Sequence, residues 1–129
     1  GVRRLGRRDV LLLLREQLAA FSEPAFQCRV KRLREAMRTS PKDDFSELAG
    51  RKDLAMSVQR SILPKYGLHP DHRGSYSMFL QCAHFVFDPE VARLITGINC
   101  LLGMERVAAK AFVKRLQSLR GESRRLAGA

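Results

Sequence analysis

Apolar residues recur along this chain with a helical period, most regularly between Gly74 and Gly103. Tyr76, Phe79, Leu80, Ala83, Val86 and Phe87 stand at i, i+3, i+4, i+7, i+10 and i+11, and Val91, Leu94, Ile95, Ile98, Leu101 and Leu102 repeat that spacing. Each set lays one broad apolar face along a helix. The pattern therefore predicts two amphipathic helices joined at Asp88-Pro89. Asp88 is placed to accept from the first free N–H groups of the second helix, and Pro89 fits its first position, where an N–H has no partner anyway. Such short helices are not stable alone in water. The pair is expected at the centre of the fold, with Phe79, Ala83, Val86, Leu94, Ile98 and Leu101 buried.

Four further helices follow from the same period. One should start near Asp9 as its N-cap and run to about Phe21, with Val10, Leu14, Leu18 and Phe21 on one face and Leu11 beside them. Ser22 then caps a second, from about Pro24 to Thr39, burying Phe26, Val30, Leu33 and Met37 inside a ring of Arg29, Lys31, Arg32, Arg34 and Arg38. A third follows the break at Ser40-Pro41, where Asp43, Asp44 and Glu47 suit a helix N-terminus. It would turn Phe45, Leu48, Leu54, Val58, Ile62 and Tyr66 inward, be shortened or kinked by Pro64, and end on a left-handed Gly67. Leu68 to Gly74 reads as a polar, turn-rich loop. The last helix runs from Met104 or Glu105 to about Arg120, with Ala109, Phe112, Val113, Leu116 and Leu119 on one side. There is no internal repeat and no useful strand alternation. The fold class is all-α, a compact single-domain bundle of five or six helices, with a basic arm over 1–8, the helical domain over 9–120 and a basic flexible tail over 121–129.

Length and composition agree with this, and charge adds to it. A chain of 129 residues, 45% hydrophobic and 29% charged, is large enough to bury one core. No apolar run approaches the roughly 20 residues of a membrane span. The net charge of +11 is uneven. Residues 1–38 hold ten Lys/Arg against four Asp/Glu, residues 39–104 seven of each, and residues 105–129 seven against two. A field concentrated at both ends favours an acidic partner.

Catalytic and metal chemistry find little support. His69-Pro70-Asp71-His72, with Cys82 and His84 downstream, is the best metal candidate, but Cys82 and His84 are two apart on a helix and point about 200° apart. There is no Gly-rich phosphate loop and no GxSxG. Cys28, Cys82 and Cys100 lack the pairing of a disulfide framework and point to a reducing compartment. The start, GVRRLGRRD, lacks the apolar core of a secretory signal; being Arg-rich and free of acid before Asp9, it is compatible with the remnant of an organellar transit segment.

Ala20-Phe21-Ser22-Glu23-Pro24, Tyr66-Gly67-Leu68 and Asp88-Pro89-Glu90-Val91-Ala92 stand in an order and spacing that resembles the small eukaryotic family called protein C-ten, over about residues 14–104. The resemblance implies a small, intracellular, helical protein without enzymatic activity, associated with development rather than with a reaction. Both basic ends lie outside the resemblance, and Pro64 departs from the family pattern.

These readings together predict a non-enzymatic helical interaction module, a subunit or adaptor docking on a larger protein assembly with an acidic surface. The residues expected to bind it are Arg3, Arg4, Arg7 and Arg8 at one end, Arg29 and Arg32 of the second helix, and Arg106, Lys110, Lys114, Arg115, Arg120, Arg124 and Arg125 at the other. The alternative is an accessory protein of a ribonucleoprotein, in an organelle or outside one, with the same groups on RNA phosphates. Sequence preference should then be weak, since there is no Trp and both Tyr and most of the seven Phe fall on expected core faces. No cofactor is expected, and oligomeric state is open. The compartment implied is intracellular, the cytoplasm ahead of the mitochondrion.

Overall fold

The structure, a computed structural model, describes residues 4–37 and 49–128. Helix α1 spans Arg7–Phe21, α2 Pro24–Met37, α3 Ala49–Ile62, α4 His72–Ala83, α5 Pro89–Leu101 and α6 Arg106–Gly128, with a 3-10 turn at Leu63–Tyr66. Phe45 and Leu48, the acidic helix start at Asp43, Asp44 and Glu47, and Arg38 all lie outside the described residues. What is described forms one compact all-α domain with no strand.

The centre is α1, not the pair between Gly74 and Gly103. Val10, Leu13 and Phe21 are fully buried, and Leu11, Leu14 and Gln17 nearly so. Of the five consecutive apolar residues Val10 to Leu14, four are buried and Leu12 is 45% exposed, so α1 buries a face wider than an ordinary stripe and keeps one side in solvent. Helix α5 lies along it, α3 and α2 pack on other sides, and α6 lies against α5. Asp9 is not the N-cap. The helix starts two residues earlier with Gly6 in the cap position, and Asp9 reaches back from the third helical position to accept the Gly6 N–H at 3.4 Å.

Helix α4 ends at Ala83, four residues short of the expected Phe87. The N–H groups of His84, Phe85, Val86 and Asp88 each bond three residues back, to Gln81, Cys82, Ala83 and Phe85. Asp88, preceding proline, is held extended at ψ 121°, so the helix cannot run on through it. The turns bury Val86, whose carbonyl accepts from Gln117 Nε2 at 3.0 Å. Of the six residues expected to be buried, Ala83, Val86 and Ile98 are, while Leu94 and Leu101 are half-buried and Phe79 is exposed.

Local punctuation follows the sequence closely. Asp88 accepts from the N–H of Glu90 at 2.9 Å and of Val91 at 3.3 Å, capping α5 as expected. Pro64 lies in the 3-10 turn that ends α3, and Gly67 closes it at φ 74°. There Gly67 donates to Pro64 and Leu68 to Leu63, the paired bonds of a Schellman ending. Gly103, at φ 98°, closes α5 the same way, with Gly103 donating to Cys100 and Met104 to Asn99. The loop before α4 is shorter than expected, because Asp71 caps that helix by accepting from Arg73 at 3.0 Å and Gly74 at 3.3 Å. Helix α6 continues past Arg120 to Gly128, held to α5 by buried Ala109 and Val113.

Candidate docking surfaces

The basic residues divide into those with partners inside the chain and those without. Arg3 lies outside the described residues. Leu5 is buried and its N–H donates to Gln81 Oε1 at 2.6 Å, so the basic start is anchored to α4 from this residue on. Arg7 Nε donates to Asp88 Oδ2 at 2.5 Å, and its Nη2 lies 3.6 Å from Glu90. Arg15 also pairs with Glu90. The Arg7 guanidinium holds the Asp88 carboxyl below the ordinary carboxylate range, helped by the two backbone N–H groups that Asp88 caps. Arg4 and Arg8 are exposed, with no carboxylate partner among the described residues.

On α2, Arg29 donates to Ser57 Oγ at 3.2 Å with its guanidinium 5.9 Å from the Phe26 ring centroid. Arg32 is exposed, and its neighbour Arg34 pairs with Glu105 at 2.8 Å. Helix α6 differs. Arg106, Lys110, Lys114, Arg115 and Arg125 are exposed, and none meets a carboxylate among the described residues. Arg120 approaches His84 Nδ1 at 3.0 Å, and Arg124 stands 4.6 Å over the ring of Phe87. Arg106, Lys110 and Lys114 follow each other at four-residue steps. Phe112 and Leu116, two residues on from Lys110 and Lys114, therefore face about 200° away, on the other flank.

That other flank opens on a cleft of about 1130 Å³. Its lining includes Ile95 and Ile98 of α5 with Leu102 just past its end, and Phe112 and Leu116 of α6. The opposite wall is the α4 stripe His72, Tyr76, Phe79 and Ala83, and α3 closes one end with Arg51, Lys52 and Asp53. Phe79 and Phe112 meet edge to face across it, their centroids 6.3 Å apart. At the α3 end, Arg51 Nη2 donates to Asn99 Oδ1 at 3.2 Å, while the buried Asn99 Nδ2 has no acceptor among the described residues. Beneath the cleft, Gln59 Nε2 donates to Gln17 Oε1 at 2.9 Å, and both side chains are buried.

The cleft corrects the expectation that the aromatic residues sit on core faces. Tyr76 is 65% exposed, Phe79 39% and Phe87 43%. Periodicity identified α4's apolar stripe but not whether anything covers it. The available signal was His72 and Ser75 on the same side as Tyr76 and Phe79, a mixture foreign to a sealed core.

The arrangement carries little chemistry. Burial pushes the Cys82 thiol up to about 12, which makes it a core residue and not a nucleophile. His72 Nε2 lies 3.7 Å from Asp53, and among the described residues no group of three His, Cys, Asp or Glu stands close enough to hold a metal ion. No described helix is long and apolar enough to cross a membrane. No family model matches the chain, and no curated protein or solved structure matches it either.

Proposed function

We propose that this chain is a non-enzymatic helical module that docks on a larger acidic partner, with α6 as the principal contact. The supporting observation is the way ion pairs are distributed. Carboxylates of the body hold Arg7, Arg15, Arg34 and Lys65, whereas Arg106, Lys110, Lys114 and Arg115 project from one helix with no such partner among the described residues. An exposed row clear of intrachain carboxylates is available to another molecule. The resemblance to the protein C-ten family belongs to this proposal. Its three motifs fall at the α1–α2 junction, the end of α3 and the start of α5, and it brings no reaction with it.

A second reading places the same cations on RNA. It is favoured by Phe87, exposed beneath Arg124, because an accessible ring beside free cations offers a base a stacking surface. The experiment is a salt titration of wild type and an Arg106→Ala, Lys110→Ala, Lys114→Ala variant against polyglutamate and single-stranded RNA. Salt-sensitive retention of polyglutamate, weakened in the variant, is the expected result. Preference for RNA selects the second reading, and indifference to both salt and variant removes both.

A further inference from the structure

The two halves of α6 are held to the body in different ways. Ala109 and Val113 bury apolar surface, and no described residue of α6 beyond Val113 is buried. The same side of the helix continues through Gln117, Arg120, Gly121 and Arg124, which stand at i, i+3, i+4 and i+7 and so share one face. That face meets the turns between α4 and α5. Gln117 Nε2 donates to the Val86 carbonyl at 3.0 Å, Arg120 Nη2 lies 3.0 Å from His84 Nδ1, and Arg124 stands 4.6 Å over the Phe87 ring. Where an apolar stripe would normally carry on, two guanidiniums dock the helix instead.

The partners of these two guanidiniums are weak ones. A guanidinium only donates, so His84 Nδ1 is the acceptor of the Arg120 bond. A neutral ring nitrogen and an aromatic face hold an arginine less firmly than a carboxylate, which takes two parallel N–H bonds from one guanidinium edge. Neither Arg120 nor Arg124 meets a carboxylate among the described residues. Arg120 is also incompletely satisfied, since its buried Nε has no acceptor among the described residues. Nε and Nη2 form the edge that a carboxylate grips side-on. Here Nη2 faces an imidazole and Nε faces nothing that accepts, which leaves a charged group short of a hydrogen bond.

We propose that Arg120 and Arg124 are a reserve contact for the acidic partner, held against His84 and Phe87 until its carboxylates draw them away and undock the end of α6. The order follows from availability. Arg106, Lys110 and Lys114 are exposed and clear of carboxylates, so they engage first, whereas the reserve pair must give up its contacts within the chain. A carboxylate on Arg120 then satisfies Nε and Nη2 together. This rests on the docking function proposed above and adds which cations join second and what restrains them.

The test measures polyglutamate binding to the full chain at one low salt concentration. His84→Ala with Phe87→Ala removes both restraining groups and leaves every cation in place. This release variant is expected to bind about two- to fivefold tighter than wild type, the strength of an exposed cation–π contact. Arg120→Ala with Arg124→Ala should weaken wild type less than it weakens the release variant, because in wild type part of the gain from those cations is spent on freeing them. His84→Ala alone serves if circular dichroism shows that the pair of substitutions misfolds. Equal or weaker binding by the release variant, with losses that simply add, would show that nothing is held in reserve. Weakened binding in the Arg106, Lys110, Lys114 triple variant would still keep docking through α6. If no form of the chain binds polyglutamate, docking and reserve contact fall together. A gain seen with single-stranded RNA and not with polyglutamate would assign the released cations to nucleic acid and overturn the proposal.

Discussion

Arg7 Nε donates to Asp88 Oδ2 at 2.5 Å, so the first turn of α1 holds the residue that caps α5. Three donors converge on one carboxylate: the guanidinium and the N–H groups of Glu90 and Val91. All three favour the ionised form, with Arg7 the strongest, and the folded Asp88 titrates below its ordinary value of 3.8. A depressed folded value gives stability that is complete above the unfolded value and is lost as pH falls through the folded one. Asp88→Asn keeps a capping oxygen and loses the charge. It should melt at a lower temperature than wild type near neutrality, and the gap should close in acid. Thermal melts across the acid range check this, and a gap independent of pH would show that the charge plays no part.

Gln17 and Gln59 join α1 to α3 through a bond of 2.9 Å between two buried side chains. Gln17 Nε2 also lies 3.0 Å from Met78 Sδ of α4. Gln17→Ala leaves a buried amide without its acceptor and should cost about 1–3 kcal/mol, before any cavity is counted. Replacing both by Leu removes the polar demand together with its satisfaction. Denaturant melts should find the double variant more stable than the sum of the two single Leu variants implies. Additive losses would mean that the bond contributes nothing beyond packing.

Two glycines separate close approach from open space. A Cβ on Gly74 would stand 1.8 Å from the carbonyl oxygen of His69, a backbone atom with no room to yield. Gly74→Ala should destabilise by more than the 1–3 kcal/mol or so of ordinary overpacking, because the segment before α4 must move. On Gly121 the nearest atom to a new Cβ is Phe87 Cζ at 3.9 Å, an ordinary contact. There the better helix former should add about 0.5–1 kcal/mol. Matching effects at the two sites in denaturant melts would contradict the geometry.

What the sequence revealed was set by how local each feature is. Asp88, Gly67 and Gly103 end or start helices through bonds to residues within five positions, so their roles were legible. The identity of the central helix was not, because an amphipathic face states that a partner is needed without naming it. Val10 to Leu14 carried part of that information, since four of these five apolar residues in a row are buried and only Leu12 faces solvent. Arg7 was legible as a cation, but its pairing with Asp88 spans 81 positions and cannot be read from charge totals. The α4 stripe was legible as apolar and misread as core. Period alone does not say which part of an apolar face the chain buries: Ala83 is buried, while Tyr76 and Phe79 are exposed.

The division between paired and unpaired cations leads to a prediction about which charges bind. Arg7, Arg15 and Lys65 tie α1 to α5 and to the turn after α3, so neutralising them should lower the melting temperature and alter partner binding little. Arg106, Lys110 and Lys114 tie nothing together among the described residues, so their removal should leave the melt nearly unchanged while binding falls. On single-stranded RNA, three lost phosphate contacts would make the slope of log affinity against log salt shallower by about 2. On an acidic protein surface the loss should be greatest at low salt and shrink as the Debye length contracts. Melts and salt titrations of the two triple variants, run side by side, measure both quantities. If the two sets weaken binding equally, position on the surface does not matter. The basic character then acts as a general field, and α6 has no special claim on the partner.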